Sequence, residues 1–531
     1  MTESKCPVSG NTGTCPFNAS SSKSTVTSYP NAAKLNKEGV VTALTDETKR
    51  SSEGMGLPEA MSQETIDMII ATAPAVAPKM LDITKCFYNK VIAKHPSLKQ
   101  FFNTAVRTKN IRSMKNSKYH SQQHSIRWFY DFVAFRRLLR IHHAKHLLLT
   151  FLFASQINSM SPFRFAFAPP HTHTIFFILR FSSLQRHDPV STEQPMALAT
   201  ACIAYATNIT DLSPLLVPGG PVAAICNRHV ALGIHPMQYV VVHTNLMEAI
   251  GDILGEIVTP EIAAAWSEAV LFLAKAMIDT EESLYTMVEQ REGGWSGFAE
   301  FEVSEINALA DNIKQISFKP PSDSPLFGKN FAFTAGQYLS LQIDMDGDNT
   351  SAPRHYTATS PVGADYLQCT IKKIQGGKLS TYVHDHLTVG DKVTLSTPMG
   401  VFTAPAEPTD TVLISAGIGV TPMINLKRSL GDSVKLVVHV DSSPESHPYA
   451  DFFEGTESLY KYTSAGGRTT AEDLVAEILE KVGTDREFYI CGPTQWMDDI
   501  QKSLLAKGAK KVICEVFGSQ LSTGCPFFQA S

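Results

Sequence analysis

Apolar residues recur every three or four positions from Pro58 to Asn103, in TIDMIIATAPAVAPKMLDITKCFYNKVIAKHPSLKQFFN. That period predicts amphipathic helices, with HPS as a break between two of them. The same texture returns from Gln194 to Gln290 in PMALATACIAYATNI, EAIGDILGEI and EIAAAWSEAVLFLAKAMIDTEESLYTMVEQ, and GGWSG at 293–297 closes it. Short alternating runs follow, among them FAEFEV, YLSLQID and YLQCTIKKI, ending near Pro405. Period two between turn residues predicts an antiparallel barrel or sandwich. Last come TVLISAG, VKLVVHVDS, EFYICGP and KVICEVFG, apolar strands separated by helical stretches. Continuous apolar strands alternating with helices predict a parallel α/β sheet.

Residues 106–185 fit neither texture. They contain no glycine, one acid (Asp131) against twelve Lys and Arg, eleven phenylalanines and seven histidines. Globular segments need glycine at turns and balance their charges, so translated non-coding sequence, such as a retained intron, is the preferred reading. A lineage-specific insert is its rival. HHAKH and HTH within it mimic metal-ligand clusters, but a random reading frame rich in histidine produces the same.

At 531 residues the chain predicts about three units. A hydrophobic content of 43% and a net charge of −5 exclude the clustered basic excess of a nucleic-acid surface. Nine cysteines without a CxxC pair read as free thiols of a reducing compartment. The Ser/Thr/Asn-rich start lacks an apolar leader core and predicts a disordered tail over 1–55. The longest apolar run, HLLLTFLFA, is too short to span a membrane. A cytoplasmic, soluble chain is expected.

Three constellations in the last 240 residues carry chemistry. RHYTATSP at 354–361, after AGQYLSL at 335–341, puts a cation, a ring and a hydroxyl along one strand. Such a strand suits a pyrophosphate and a flat cofactor, although alone it reads equally as a plain polar strand. In QGGKLSTYVHDHL at 375–387, Gly376 and Gly377 permit close approach, and Ser380 is placed to cap a helix whose amides face an anion. LISAGIGVTPM at 413–423 reads as strand, glycine turn and a helix with Pro422 at its first position. The full GxGxxG fingerprint is absent. CGP at 491–493 and EVFG at 515–518 end predicted strands, where ligands of open parallel sheets sit.

The ordered set RxYT, GGxxS, GxGxTP, CGP and ExFG resembles the ferredoxin-NADP reductase family. That resemblance implies an FAD site on Tyr338, Arg354, His355, Tyr356 and Thr357, with Gly376, Gly377 and Ser380. It also implies a nicotinamide site lined by Gly417, Ile418, Gly419, Val420, Thr421, Pro422, Cys491, Gly492 and Pro493. Glu515, Val516, Phe517, Gly518 and Ser519 follow at the crevice, Phe517 against the flavin ring. A flavin accepts a hydride and releases electrons singly, which calls for a one-electron acceptor.

ICNRHVALGIHPMQYVVVH, 225–243, offers three histidines. Most histidines bind nothing. His235 precedes Pro236, so one helix should stop before it and another start at the proline, leaving His235 in a loop. His243 reads as an ordinary helix residue. His229 lies within the earlier helix, where a side chain can point steadily into a pocket.

The segments CFYNKV, HPSLKQFFN, TEQPMALATACIAYA, NRHVALGIHPMQY, MIDTEESLY and GGWSGF, in this order, resemble flavohemoglobin, over about 56–105 and 186–518. The resemblance implies that His229 ligates haem iron and that Tyr239 and Glu281 form a relay beside it. It implies that Tyr88 and Gln194 face bound oxygen, Leu198 closes the pocket, Phe102 packs on the haem, and Arg228 stands where the family usually has lysine. Core packing or plain exposure is the bland alternative for each. The implied fold is multidomain: an all-α globin over 56–292 interrupted by 106–185, an antiparallel β-barrel FAD domain over 293–405, an α/β parallel-sheet NAD(P) domain over 408–518, and a tail over 519–531. Stretching one loop from about ten to about ninety residues costs roughly 2 kcal/mol, which such a globin tolerates.

The implied activity is nitric oxide dioxygenation: NO and O2 become nitrate, with electrons from NADH or NADPH passing through FAD to haem b. Small-molecule substrates, no nucleic acid, no transmembrane segment and a monomer are expected. A diaphorase with a globin damaged by the insert, and an oxygen sensor or carrier, are the rival readings. Asp441 and Ser442, at the end of the second parallel strand, leave NADH against NADPH open. The CPF tripeptides at 15–17 and 525–527 are too short to assign a role.

Overall fold

Proline and polar caps start the helices where the periodicity places them. The computed structural model describes residues 50–96, 98, 193–217, 219–345 and 351–517. Phe102, Gly518, Ser519, the 106–185 segment and the tail residues before Arg50 lie outside the described residues. Ser62 accepts from Thr65 N–H and opens the Gln63–Val76 helix, and its own backbone N–H and hydroxyl bond Glu268. Helices Met80–Lys94, Glu193–Thr207, Pro221–Ala231, Pro236–Leu254 and the 31-residue Pro260–Gln290 follow. Three of them begin with proline in the first turn, where the missing N–H costs nothing. Their apolar stripes meet in one core that includes Ile83, Phe87, Cys226, Ala249 and Trp266.

The segment expected to be a tail as far as Met55 is held from Arg50 onward. Arg50 lies 4.3 Å over the Tyr285 ring and donates to His235 Nδ1 at 2.9 Å, while Ser52 donates to Asp279 at 2.6 Å. A guanidinium held by one ring face and one imidazole outweighs the polar composition around it.

Six strands form an antiparallel sheet in the order β4-β3-β6-β1-β2-β5: β1 Phe298–Ala310, β2 Ile313–Lys319, β3 Tyr338–Gln342, β4 Arg354–Thr357, β5 Leu367–Lys372 and β6 Lys392–Ser396. The ladder is not closed. Its edge strands β4 and β5 meet through an isolated bridge, Ala358 to Cys369. Phe301, Phe318 and Phe331 fill its core at 0–1% exposure, each contributing about 2–3 kcal/mol of burial.

Five strands form the second sheet, all parallel, in the order β11-β10-β7-β8-β9: β7 Thr411–Ala416, β8 Val434–Asp441, β9 Ser458–Tyr462, β10 Glu487–Cys491 and β11 Lys511–Glu515. β7 and β10 are buried at every position, the two-sided burial that their apolar runs predict. β9, SLYKY, escapes the sequence reading because it is an edge strand with only Leu459 buried. Between β7 and β10 the strand order reverses, which makes a crevice at their carboxyl ends. No described helix is long and apolar enough to cross a membrane.

Candidate functional site

The helix carrying His229 ends at Ala231 and the next begins at Pro236, with His235 as its N-cap, as the proline demands. His229 Nδ1 lies 2.8 Å from Glu281 Oε1 and 2.9 Å from the Tyr239 oxygen. The Tyr239 hydroxyl donates to the same carboxylate oxygen at 2.5 Å. Glu281 is 2% exposed, and this carboxylate, facing two donors, keeps the ring proton on Nδ1. Burial first, then the Glu281 charge, pushes the Tyr239 hydroxyl well above its usual range. Nδ1 is thus committed, and Nε2 keeps its lone pair for a metal.

His235 and His243 are drawn into other contacts. His235 is buried, bonding Arg50, and its backbone N–H is taken by the Gln238 side chain. His243 is buried with Nε2 on Ser267 Oγ at 2.9 Å, and burial lowers it to about 4. Each reads as structure, which leaves His229, its side chain 29% exposed, as the candidate ligand of the three.

Thr84 donates to the Pro195 carbonyl at 2.9 Å and fixes the Glu193–Thr207 helix against Met80–Lys94. Tyr88 and Leu198 join that core, and Gln194 is half-buried at the helix start. Burial raises the Tyr88 hydroxyl well above its usual range, and Cys202 adds to the shift. Cys202 itself, one helical turn beyond Leu198, is pushed up to about 12 by burial. It was legible only as an i+4 repeat of Leu198.

Arg228 joins the helices to the sheets. Its guanidinium lies beside the Tyr338 hydroxyl and near His355 and Glu515. Burial raises the Glu515 carboxyl to about 7, opposed by Arg228. The neighbouring Asn227 Oδ1 accepts from Gly400 N–H at 3.0 Å, a contact with no signature in the sequence.

On β3 and β4, Tyr338 is register partner to Thr357, and Ser340 to His355. The Tyr338 and His355 rings lie 4.8 Å apart, and Ser340 Oγ bonds His355 Nδ1 at 2.9 Å. Alternation therefore groups Tyr338, His355 and Thr357 on one face and Arg354 with Tyr356 on the other, not one row along a single face. Gly376 has φ +77°, a turn conformation suited to glycine, and Gly377 is the N-cap of the Lys378–Asp385 helix. Ser380 is not the cap, contrary to expectation. It sits inside the first turn and accepts from Ile374 N–H at 3.1 Å, because the chain enters the helix three residues earlier.

At the carboxyl ends of the parallel sheet, Cys491 is register partner to both Ser415 and Glu515. The Gly417–Val420 turn lies directly on CGP: a Cβ on Gly419 would come within 2.3 Å of the Cys491 carbonyl. Gly492 is confined less tightly, by the Trp496 and Ala416 side chains at 2.9 and 3.0 Å. Thr421 opens the Thr421–Leu430 helix, so Pro422 stands one place later than expected. Thr421 Oγ1 donates to Thr357 Oγ1 at 3.3 Å, which brings the two sheets' site residues together. Asn425 donates to the Ala358 and Ser360 carbonyls and Arg428 to that of Thr359, supports the motif reading missed. Val516 is buried, whereas Phe517 is 43% exposed at the mouth. A cleft of about 820 Å³ near the start of β1, lined by Trp295, Phe298 and Lys329 among others, contains none of these residues.

Together these features define an oxidoreductase class in which a parallel dinucleotide-type sheet faces an antiparallel flavin-type sheet, coupled to a helical region with one committed histidine. The model of the oxidoreductase FAD-binding domain matches residues 300–403. A flavohemoprotein of Pseudomonas putida is 33% identical over 335 residues, 60% of this chain and 83% of the relative. That of Bacillus subtilis is 32% identical over 351 residues, 62% and 86%. A flavohemoglobin crystal structure from Malassezia yamatoensis, with bound FAD and heme, shares the fold at TM-score 0.61 and 20% identity, covering 86% of this chain and all of that one. The chain belongs to the flavohemoprotein family. It is an NAD(P)H-dependent flavin oxidoreductase with the family's cofactors, haem, FAD and a nicotinamide nucleotide.

Proposed function

We propose that this chain is a nitric oxide dioxygenase, converting NO and O2 to nitrate with electrons drawn from NAD(P)H. The observation that carries the reading is the His229–Tyr239–Glu281 constellation, with Nδ1 held at 2.8 and 2.9 Å. A carboxylate on Nδ1 makes the imidazole a stronger donor at Nε2, which favours redox chemistry over simple carriage. When bound, haem supplies an iron centre for oxygen chemistry and FAD turns a hydride into single electrons.

The residues present fit both groups. His229 would hold the iron through Nε2, with its ring orientation fixed by Glu281 and Tyr239. Tyr88 and Gln194 would orient the diatomic substrate opposite, and Leu198 would exclude water. Tyr338, Arg354, His355, Tyr356 and Thr357 would hold FAD, with Gly376, Gly377 and Ser380 at its phosphates. Phe517 would cover the flavin ring until nicotinamide displaces it, and Ile418 and Val420 would shape the turn between Gly417 and Thr421. Arg228, beside Tyr338, places one cation where the two cofactors approach each other.

In this reading 56–292 is the globin, 293–405 the FAD domain and 408–518 the NAD(P) domain. The Ala358–Cys369 bridge supports taking the antiparallel sheet as a barrel. His229→Ala tests the function. It should abolish NO consumption and leave NAD(P)H-driven reduction of an artificial acceptor within about two-fold of wild type. Equal loss of both activities contradicts this division of labour.

A further inference from the structure

Asp441 ends β8, 22 residues beyond Gly419. In a sheet of this order the nucleotide lies across the carboxyl ends of the strands, with the adenosine ribose toward the strand after the glycine turn. A carboxylate about twenty residues past that turn ordinarily takes the ribose 2′-hydroxyl directly. Here it does something else.

Asp441 Oδ1 accepts from Ser442 N–H at 2.7 Å, Ser442 Oγ at 3.1 Å and Ser446 Oγ at 2.9 Å. Its other oxygen faces His439 Nε2 at 3.4 Å. The carboxylate is buried and its Oδ1 fully engaged, while Ser442 is exposed. A serine hydroxyl has one proton and two lone pairs. The Ser442 proton points inward, to Asp441 or to Ser446 Oγ at 3.0 Å, and that of Ser446 goes to Asp441 or to the Ser443 carbonyl at 2.8 Å. At the exposed rim Ser442 Oγ thus has lone pairs to offer and no proton, while Ser446 Oγ behind it already accepts from Ser443 N–H at 3.0 Å. Among the described residues, no hydrogen bond or ion pair ties a Lys or Arg to Asp441, Ser442 or Ser446.

We propose that this network makes the site select NADH over NADPH: Asp441 turns the Ser442 and Ser446 protons inward, so the rim accepts from a ribose 2′-hydroxyl and rejects a 2′-phosphate. A phosphate carries close to two negative charges at neutral pH and requires donors or cations. The buried carboxylate adds repulsion. Burial pushes its pKa up, but hydrogen bonds from His439, Ser442 and Ser446 outweigh this and hold it at about 2, so it is ionised throughout the working range. Asp441 is a positioning residue that acts through Ser442. The inference rests on reading the parallel sheet as the nicotinamide-nucleotide domain.

The test uses the full chain loaded with haem and FAD. Ferricyanide reduction is followed with NADH and NADPH, and NAD+ and NADP+ are titrated calorimetrically into the oxidised protein. Wild type should favour NADH by roughly ten-fold or more in kcat/KM, expressed in KM, with the same order in calorimetric affinity. Asp441→Asn should narrow the ratio through a lower KM for NADPH. Ser442→Arg, at an exposed position that leaves Asp441 in place, should narrow it further by supplying the missing cation. Equal use of both nucleotides by wild type, or an unchanged ratio in both variants, overturns the proposal alone. Reduction by neither nucleotide overturns the nucleotide-site reading and the proposal with it.

Discussion

The Tyr239 hydroxyl stands 2.5 Å from Glu281 Oε1, the same oxygen that faces His229 Nδ1 at 2.8 Å. Two donors therefore converge on one carboxylate oxygen inside the helical core. Glu281→Gln keeps the shape and removes the charge, so the imidazole loses donor strength without losing its place. NO consumption should fall by about 10- to 100-fold while the Soret band of bound haem persists. Retention of full activity would show that the carboxylate only packs.

Gly419 presses on the Cys491 carbonyl so closely that a side chain has no room. Gly419→Ala must push the turn off β10, at an expected cost of about 1–3 kcal/mol. NAD(P)H-driven flavin reduction should drop at least roughly ten-fold with a raised KM, while flavin content stays near wild type. Rapid-mixing absorbance of the flavin band checks this.

Tyr449 has φ +67°, the single non-glycine residue with positive φ among those described. Its hydroxyl bonds Thr370 of β5, and accepts from Gln315 Nε2 of β2 at 2.9 Å, so it fastens the loop after β8 to the antiparallel sheet. For a bulky side chain such a backbone is costly, and the two hydrogen bonds hold it. Tyr449→Phe should lower stability by about 1–2 kcal/mol in a urea titration.

His243 is buried and neutral, with burial lowering its pKa from 6.5 to about 4. The unfolded chain takes up the proton first as pH falls, so the stability present above pH 6.5 is progressively lost toward pH 4. The interval corresponds to about 3 kcal/mol as an upper limit. Thermal midpoints measured from pH 7.5 to 4 should decline, and His243→Gln should flatten the lower part of that curve. An identical slope in the variant would assign the acid sensitivity to other groups, such as His447, which burial lowers to about 3.

The helices around His229, the two kinds of sheet and the carboxyl-end crevice were legible in the sequence, because periodicity and turn chemistry are local. Gly233 at φ +70° and Pro236 separate His235 from the helix of His229, and the apolar runs of β7 and β10 announce strands buried on both faces. A half-exposed edge such as β9 has no comparable signal. Only the tertiary structure decided which partners those residues meet. Glu281 reaches His229 from 52 positions away, Asn227 finds Gly400 across 173, and Arg50 finds His235 across 185. Each such contact depends on the direction in which a side chain leaves a packed element, and spacing along the chain does not carry that information. For the same reason Asp441 and Ser442 were ambiguous as letters. Their meaning lies in where two hydroxyl protons point, and the fold of the loop through Ser446 sets that direction.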